Sequence, residues 1–313
     1  MKYSFLIAAY NEERYIKECI QSCLHQKGIE EHQVEIICVD DGSTDKTYEI
    51  IKSLEKLDSR ITIDHFITNR GKVAAFNRAY ELSSGDIIGL IGADDIAMPN
   101  RVSDNFYIFN KTDVAMTVGS MVAFYEENNM SYIREAPRIV KTLERALWSN
   151  SYGGGLISIQ RQFAAKVFPI PIELPFEDWW IEIIAVYNKI RVARIEKPIL
   201  IYRIHSENDS ISHGSILNSI RKDWKRHKAY YDFILNKIEN ADCFDNRQYF
   251  IRLIKKLSYF KENCSYCNNT TRLVLIAEII SLFIRSYKTV QETYIIFFQL
   301  LHYFCLSLFN KEQ

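Results

Sequence analysis

No glycine-rich phosphate loop punctuates this chain. Neither Gly-x-Gly-x-x-Gly nor a Walker A sequence occurs, so a dinucleotide fold and a P-loop NTPase are both without support. Neither sign of charge is in excess: 39 basic and 39 acidic side chains cancel, and nothing overall points to nucleic acid. No apolar run reaches the roughly 18 residues that a membrane-spanning helix needs. The start, Met1-Lys2-Tyr3-Ser4-Phe5, runs straight into a strand pattern with no signal-peptide character. The 7 cysteines are odd in number and scattered, and several fall in apparent core elements, as reduced thiols do. Cys264-Ser265-Tyr266-Cys267 has zinc-ligand spacing but lacks a second Cys or His pair nearby. The chain reads as cytoplasmic.

What the sequence does contain is two aspartate clusters, each directly after an apolar, β-branched run. Asp40-Asp41-Gly42-Ser43-Thr44-Asp45 follows Val34-Glu35-Ile36-Ile37-Cys38-Val39, and Asp94-Asp95 follows Asp86-Ile87-Ile88-Gly89-Leu90-Ile91 closely. Such runs read as buried strands of a parallel sheet. Carboxylates at their carboxyl ends lie in the crevice where open α/β sheets bind ligands. Two negative clusters converging there repel unless a cation or hydrogen-bond donors arrive. That geometry suits a divalent metal holding a nucleotide diphosphate. The alternative is ordinary strand-end turns and helix caps, which Asp and Ser fill well. Asp45 is expected to be such a cap, opening a helix over 46–57.

The first hundred residues alternate strand and helix. Strands are expected over 3–9, 34–39, 61–67 and 87–91, with helices after the first three. Repeated βαβ units of this length imply a right-handed parallel sheet covered by helices. Further on, a strand over 114–124 pairs with 130–134, and a helix beginning near Thr142 ends before Gly153-Gly154-Gly155. Three glycines in a row permit close backbone approach, or simply a flexible loop. A proline-rich loop over 169–175 leads to Phe176-Glu177-Asp178-Trp179-Trp180 at a helix start. Pro198-Ile199-Leu200-Ile201-Tyr202-Arg203-Ile204-His205 is a strand ending in cationic and titratable groups. From about Asn218 the pattern is helical and aromatic-rich, which places a boundary near residue 214. Residues 1–213 carry 24 basic and 30 acidic side chains, leaving 15 and 9 for 214–313.

Taken in order, these pieces resemble the family 2 inverting glycosyltransferases of the bacterial polysaccharide-assembly type, which have the GT-A fold. Ile7-Ala8-Ala9-Tyr10-Asn11-Glu12 is similar to the family's opening strand and nucleotide loop. Asp40-Asp41-Gly42-Ser43-Thr44-Asp45 matches its second motif in full. Asn69-Arg70-Gly71-Lys72 through Phe76-Asn77 resembles the Asn-x-Gly element, with Phe76 where an Arg is usual. Gly92-Ala93-Asp94-Asp95 aligns with the D-x-D segment, its first Asp being Gly92 here. Gly153–Gly155, Glu177-Asp178-Trp179 and Tyr202-Arg203-Ile204-His205-Ser206 align with the acceptor-side glycines, the Glu-Asp motif and the late Arg/His strand. The match covers residues 3–213.

The resemblance implies an α/β, Rossmann-like GT-A fold over 1–213, with a helical region over 214–313. It also implies metal-dependent transfer from a nucleotide sugar, most simply a UDP-sugar, to a glycan or lipid-linked acceptor. Asp94 would hold Mn²⁺ or Mg²⁺, supported by Asp95 on the nucleotide side. Asp41 would accept a hydrogen bond from a uracil-like base framed by Ala9, Tyr10 and Glu12. Lys72, Arg203 and His205 are candidates for the phosphates; His205 is equally a metal ligand or a plain strand-end His, and Arg203 and Lys72 equally surface charge. Asp178 matches the catalytic aspartate, in an apolar setting that would raise its pKa; it is otherwise a helix-dipole charge. Gly153, Gly154, Gly155, Glu177 and Trp179 would face the acceptor. A sugar-1-phosphate nucleotidyltransferase and a non-catalytic nucleotide-sugar-binding subunit stay open as alternatives. The last expectation concerns Arg221-Lys222-Asp223-Trp224-Lys225-Arg226-His227-Lys228 and Tyr230-Tyr231. They suit peripheral contact with an anionic inner membrane face, or else the region packs on the catalytic domain or a second subunit.

Overall fold

A computed structural model describes residues 1–148, 150–206, 208, 226 and 228–234 of the chain. Two compact units emerge, one of residues 1–141 and 150–209, the other of 142–149 and 210–313.

The first unit is built on strand β1, Tyr3–Ala9, whose side chains are almost all buried. Helix α1, Ile16–Leu24, buries Ile16, Cys19, Ile20 and Cys23 on one stripe, the helical spacing expected. Strand β2, Val34–Asp40, is buried along its whole length. Helix α2, Thr47–Glu55, is shorter than the expected 46–57 and has Lys46, not Asp45, at its N-cap; Asp45 lies one residue earlier, where its carboxylate accepts from the Thr47 N–H at 2.9 Å in a turn that leads into the helix. Strand β3, Ile61–His65, stops two residues short of the expected end. Its last partner is Asp40, after which β2 turns away through Asp41-Gly42. Helix α3, Lys72–Leu82, and strand β4, Ile87–Gly92, complete the βαβ series.

These four strands run parallel in the order β3-β2-β1-β4. The chain steps one way from β1 to β3 and then back across to β4. Right-handed crossovers therefore put α1 and α2 on one face and α3 on the other. The direction reverses between β1 and β4, and a crevice opens there at the strands' carboxyl ends. Both aspartate clusters end in that crevice.

The remaining elements turn the sheet mixed. They are β5, Ile96–Ala97; α4, Arg101–Lys111; β6, Met116–Tyr125; and β7, Met130–Arg134. After α5, Leu143–Trp148, come β8, Ile157–Gln160; α6, Arg161–Val167; α7, Glu177–Tyr187; and β9, Val192–Ile204. β8 pairs antiparallel with both β4 and β6, while β6 runs parallel to β9. β9 is one long strand. It spans two register shifts, between Gly119 and Ser120 and between Ser120 and Met121, which leave Glu196-Lys197 and Ile199 unpaired in the β6 ladder on either side of Pro198, a residue with no N–H to donate.

In the second unit, α5 buries Ala146 and Leu147. Tyr230 and Tyr231 are fully buried, and the Tyr231 hydroxyl donates to the Leu147 carbonyl at 2.9 Å. This corrects the expectation for that pair: a Tyr hydroxyl with an acceptor in reach is at home in a core. Of the expected basic stretch only Arg226 and Lys228 are described, and the expected helical region beyond residue 234 lies outside the described residues. No described helix is long and apolar enough to cross a membrane.

Candidate active site

The turns after β1 and β2 are stitched together side chain to backbone. Asn11, at φ 56°, accepts from the Thr44 N–H at 2.8 Å and donates its own N–H to the Ser43 hydroxyl at 2.9 Å. Asn tolerates that left-handed backbone better than most residues. The Glu12 N–H reaches the Thr47 hydroxyl at 2.7 Å, and the Glu13 carboxylate accepts from the Lys46 N–H at 3.0 Å. These bonds hold Ala9, Tyr10 and Glu12 along one wall, with Tyr10 exposed and free to meet a ligand. Asn11, Ser43 and Thr47 were not among the expected site residues.

Asp41 sits on the same wall, nearly buried. Its N–H donates to the Ala9 carbonyl at 2.8 Å, and its carboxylate accepts from the Arg70 N–H at 2.7 Å. Burial pushes its carboxyl up; the Arg70 and Gly71 N–H groups oppose that. Gly42 has φ +73°, and a Cβ there would fall 2.6 Å from the Thr68 backbone. Only glycine lets the two turns meet so closely.

Across the crevice, Asp94 and Asp95 take separate tasks. Asp95 is buried and accepts from the Arg203 N–H at 3.1 Å. Burial first, then the charge of Asp94, raises its carboxyl well above the usual range. Asp94 Oδ2 accepts from the Asn208 amide at 2.9 Å and lies 3.1 Å from His205 Nε2. The bond to Asp94 raises the His205 pKa. Asn208 also donates to the Arg203 carbonyl at 3.1 Å and accepts from the His205 N–H at 2.5 Å, which clamps the strand end. Sequence reading passed over Asn208, although an Asn whose side chain bonds the backbone three residues earlier, here at His205, is a common source of such turns. A Cβ at Gly92 would lie 2.7 Å from Asp94 Oδ1 and 2.9 Å from Asp95 Oδ2. The two carboxylates fill the room that the first Asp of a D-x-D would need.

Arg203 is buried between two rings. Its guanidinium donates to the Asp94 carbonyl at 3.0 Å and to Glu18 at 2.7 Å, and lies 4.7 Å from the Tyr15 ring centroid. Tyr15 also packs on the His205 ring at 4.9 Å and donates its hydroxyl to Glu126 at 2.6 Å.

Gly153 to Gly155, expected to face an acceptor, pass over the start of α7. The Gly154 N–H donates to Asp178 Oδ2 at 3.1 Å, and the Trp179 N–H donates to Asp178 Oδ1 at 2.7 Å. A Cβ on Gly154 would sit 2.6 Å from Glu177 Oε1, and one on Gly155 would sit 2.8 Å from Leu200. Gly154 and Gly155 are thus close-approach positions, whereas a Cβ on Gly153 would meet nothing nearer than Leu156 at 3.7 Å. Trp179 is buried beneath the pair. Burial first, then Glu177, raises the Asp178 carboxyl to about 6; Lys72, Asn150 and the Trp179 N–H pull the other way. Lys72, one of the expected phosphate candidates, places its ammonium 3.1 Å from Glu177 Oε2. Asn77 fixes the loop before α7 by bonding both the N–H and the carbonyl of Ile170, each at 2.7 Å.

Among the described residues no group of three or more His, Cys, Asp or Glu is placed to hold a metal. Asp94 and His205, the two residues expected to hold a metal, are hydrogen-bonded to each other at 3.1 Å.

Known proteins share sequence and fold with this chain. One relative, an uncharacterised glycosyltransferase of Nostoc sp., is 27% identical over 229 residues, covering 69% of this chain and 68% of its own length. S. aureus TarS 1–349, solved with UDP-GlcNAc, superposes at a TM-score of 0.62 and 19% identity, covering 87% of this chain and 76% of that one. A Pyrobaculum calidifontis mannosyltransferase solved with GDP-Man and Mn²⁺ gives 0.53 and 15%, covering 99% and 88%. At such identity the two structures bear on the fold, which is GT-A. The profile of Glycosyl transferase family 2 matches residues 4–166, from β1 through the Gly153–Gly155 turn into α6, and the chain belongs to that family of glycosyltransferases.

Proposed function

We propose that the chain catalyses inverting transfer of a sugar from a nucleotide sugar to a hydroxyl of a glycan or lipid-linked saccharide, in cell-surface polysaccharide synthesis. UDP-sugars are the favoured donors. Asp41, buried on the β1–β2 wall beside exposed Tyr10, supplies the acceptor atom that a uracil N–H requires. The TarS complex carries UDP-GlcNAc on the same fold.

The observation that carries the reading is Asp178. It is a buried carboxylate raised to about 6, fixed by two backbone N–H groups at the mouth of the acceptor side. A base with that pKa is largely ionised at neutral pH yet basic enough to take a proton. Asp178 removes the acceptor hydroxyl proton as that oxygen attacks the anomeric carbon. The bond to the diphosphate breaks on the opposite face, and configuration inverts.

Asp94 and His205 would hold the divalent ion, Mn²⁺ or Mg²⁺. Such an ion would supply positive charge against the charge growing on the leaving diphosphate. Asp95 keeps the β4 turn in place through the Arg203 N–H. Contact of residues 214–313 with an anionic membrane belongs to the same reading, because that stretch has 15 basic against 9 acidic side chains and a lipid-linked acceptor lies at the bilayer.

The test is a panel of UDP-, GDP- and dTDP-sugars with Mn²⁺ and saccharide acceptors, reading released nucleoside diphosphate and the anomeric configuration of the product. Release of UDP with an inverted linkage is expected. Pyrophosphate as the product would contradict it.

A further inference from the structure

We propose that Lys72 is a positioning residue for the base: its ammonium neutralises Glu177, so that Asp178 beside it works as the charged carboxylate of the pair. This rests on the reading of Asp178 as the base and assigns Lys72 to the acceptor side of the reaction rather than to the donor phosphates.

Three segments distant in sequence meet here. Lys72 opens α3 directly after Gly71, which has φ +89° and swings the helix start toward α7. Its Nζ is 3.1 Å from Glu177 Oε2 and 4.8 Å from the Phe176 ring centroid. The Lys72 side chain is 36% exposed, whereas that of Glu177 is 6% exposed. A buried carboxylate beside a second buried carboxylate is strongly disfavoured unless a cation or hydrogen bonds offset it. Gly154 shapes the same spot, since a Cβ would fall on Glu177 Oε1 at 2.6 Å. Its N–H goes to Asp178 instead. The carboxylates are thus sorted: Glu177 receives the ammonium, and Asp178 receives the Gly154 and Trp179 N–H groups together with the Asn150 side chain.

The groups acting on Asp178 are Glu177 on its own helix, Lys72 from α3, and the Asn150 side chain and Gly154 N–H from the loop before β8. The Trp179 N–H acts on it as well. Of these, Lys72 is the cation. Its loss would leave two neighbouring negative charges and make Asp178 harder to ionise.

The experiment is the pH dependence of kcat/KM with UDP affinity measured in parallel, for wild type, Lys72→Met, Lys72→Arg and Glu177→Gln. Lys72→Met is expected to move the acid limb up by about one pH unit. Glu177→Gln is expected to move it down, and Lys72→Arg to stay near wild type, with UDP affinity unchanged in all three. A limb that stays put in Lys72→Met while UDP affinity falls tenfold or more would overturn the assignment and return Lys72 to the phosphates. A wild-type profile with no acid limb would overturn the Asp178 reading itself, and this inference with it.

Discussion

The N–H of Gly154 points at Oδ2 of Asp178 from 3.1 Å, while the space where a Gly154 side chain would go is taken by Glu177 Oε1. One residue therefore orients the base with its backbone and makes room for the neighbouring carboxylate by lacking a Cβ.

Gly154→Ala tests that double duty. The added methyl must displace Glu177 or the loop, and the Gly154 N–H moves with it. Turnover is expected to drop by about tenfold or more while UDP-sugar affinity holds, because misplacing a catalytic group costs rate before binding. Unchanged kcat would show that the glycine is not needed for positioning.

Asp94→Ala removes the carboxylate that faces His205 and Asn208. Mn²⁺ affinity, followed by titration calorimetry with UDP present, is expected to fall, and turnover to fall by about a hundredfold or more. Full activity of the wild type in EDTA would remove the metal from the account.

Asn77→Ala leaves the N–H and carbonyl of Ile170 without their partners, in a residue only 1% exposed. Each orphaned buried group costs about 1–3 kcal/mol. A stability loss of at least about 2 kcal/mol in urea unfolding is expected, larger than for surface substitutions on α3.

Far from the site, Glu35 gives the fold an acid limit. It sits at the amino ends of β1 and β4, where Lys2, the Ser4 hydroxyl and the Ser84 and Gly85 N–H groups converge on its carboxylate. Burial pushes its carboxyl up, but the bonds from Lys2, Ser4 and Ser84 outweigh this and hold it at about 2 against an ordinary 4.5. A lowered carboxylate pKa stabilises the fold above the unfolded value and is lost as pH falls through the folded one. The contribution, on the order of 3 kcal/mol, is expected to fade from about pH 4.5 to pH 2. Glu35→Gln should be less stable at pH 7 and lose less on acidification.

Much of this architecture was legible in the chain. Buried runs such as Val34-Glu35-Ile36-Ile37-Cys38-Val39 leave one structural option, and the 3.6-residue spacing of Ile16, Cys19, Ile20 and Cys23 leaves another. The expected β6–β7 pairing also stands, with Met130 opposite Tyr125 and Arg134 opposite Met121. Other features were not legible, because they depend on contacts distant in sequence. β8 and β9 enter the sheet by pairing with β4 and β6, which no local pattern announces. Asn11, Asn77 and Asn208 were invisible as organisers for the same reason: an amide's role is set by which backbone groups the fold brings to it. Lys72 read as a phosphate candidate because the sequence gives its charge but not its partner, Glu177.

The most direct test compares Asp178→Asn with the wild type in UDP-sugar affinity and in turnover, measured on the same preparations. The amide keeps the shape and the bond from the Gly154 N–H but cannot take the acceptor proton. The account predicts donor affinity within about twofold of wild type and kcat lower by roughly a hundredfold or more. Retained turnover, or loss of donor binding and turnover together, would contradict it.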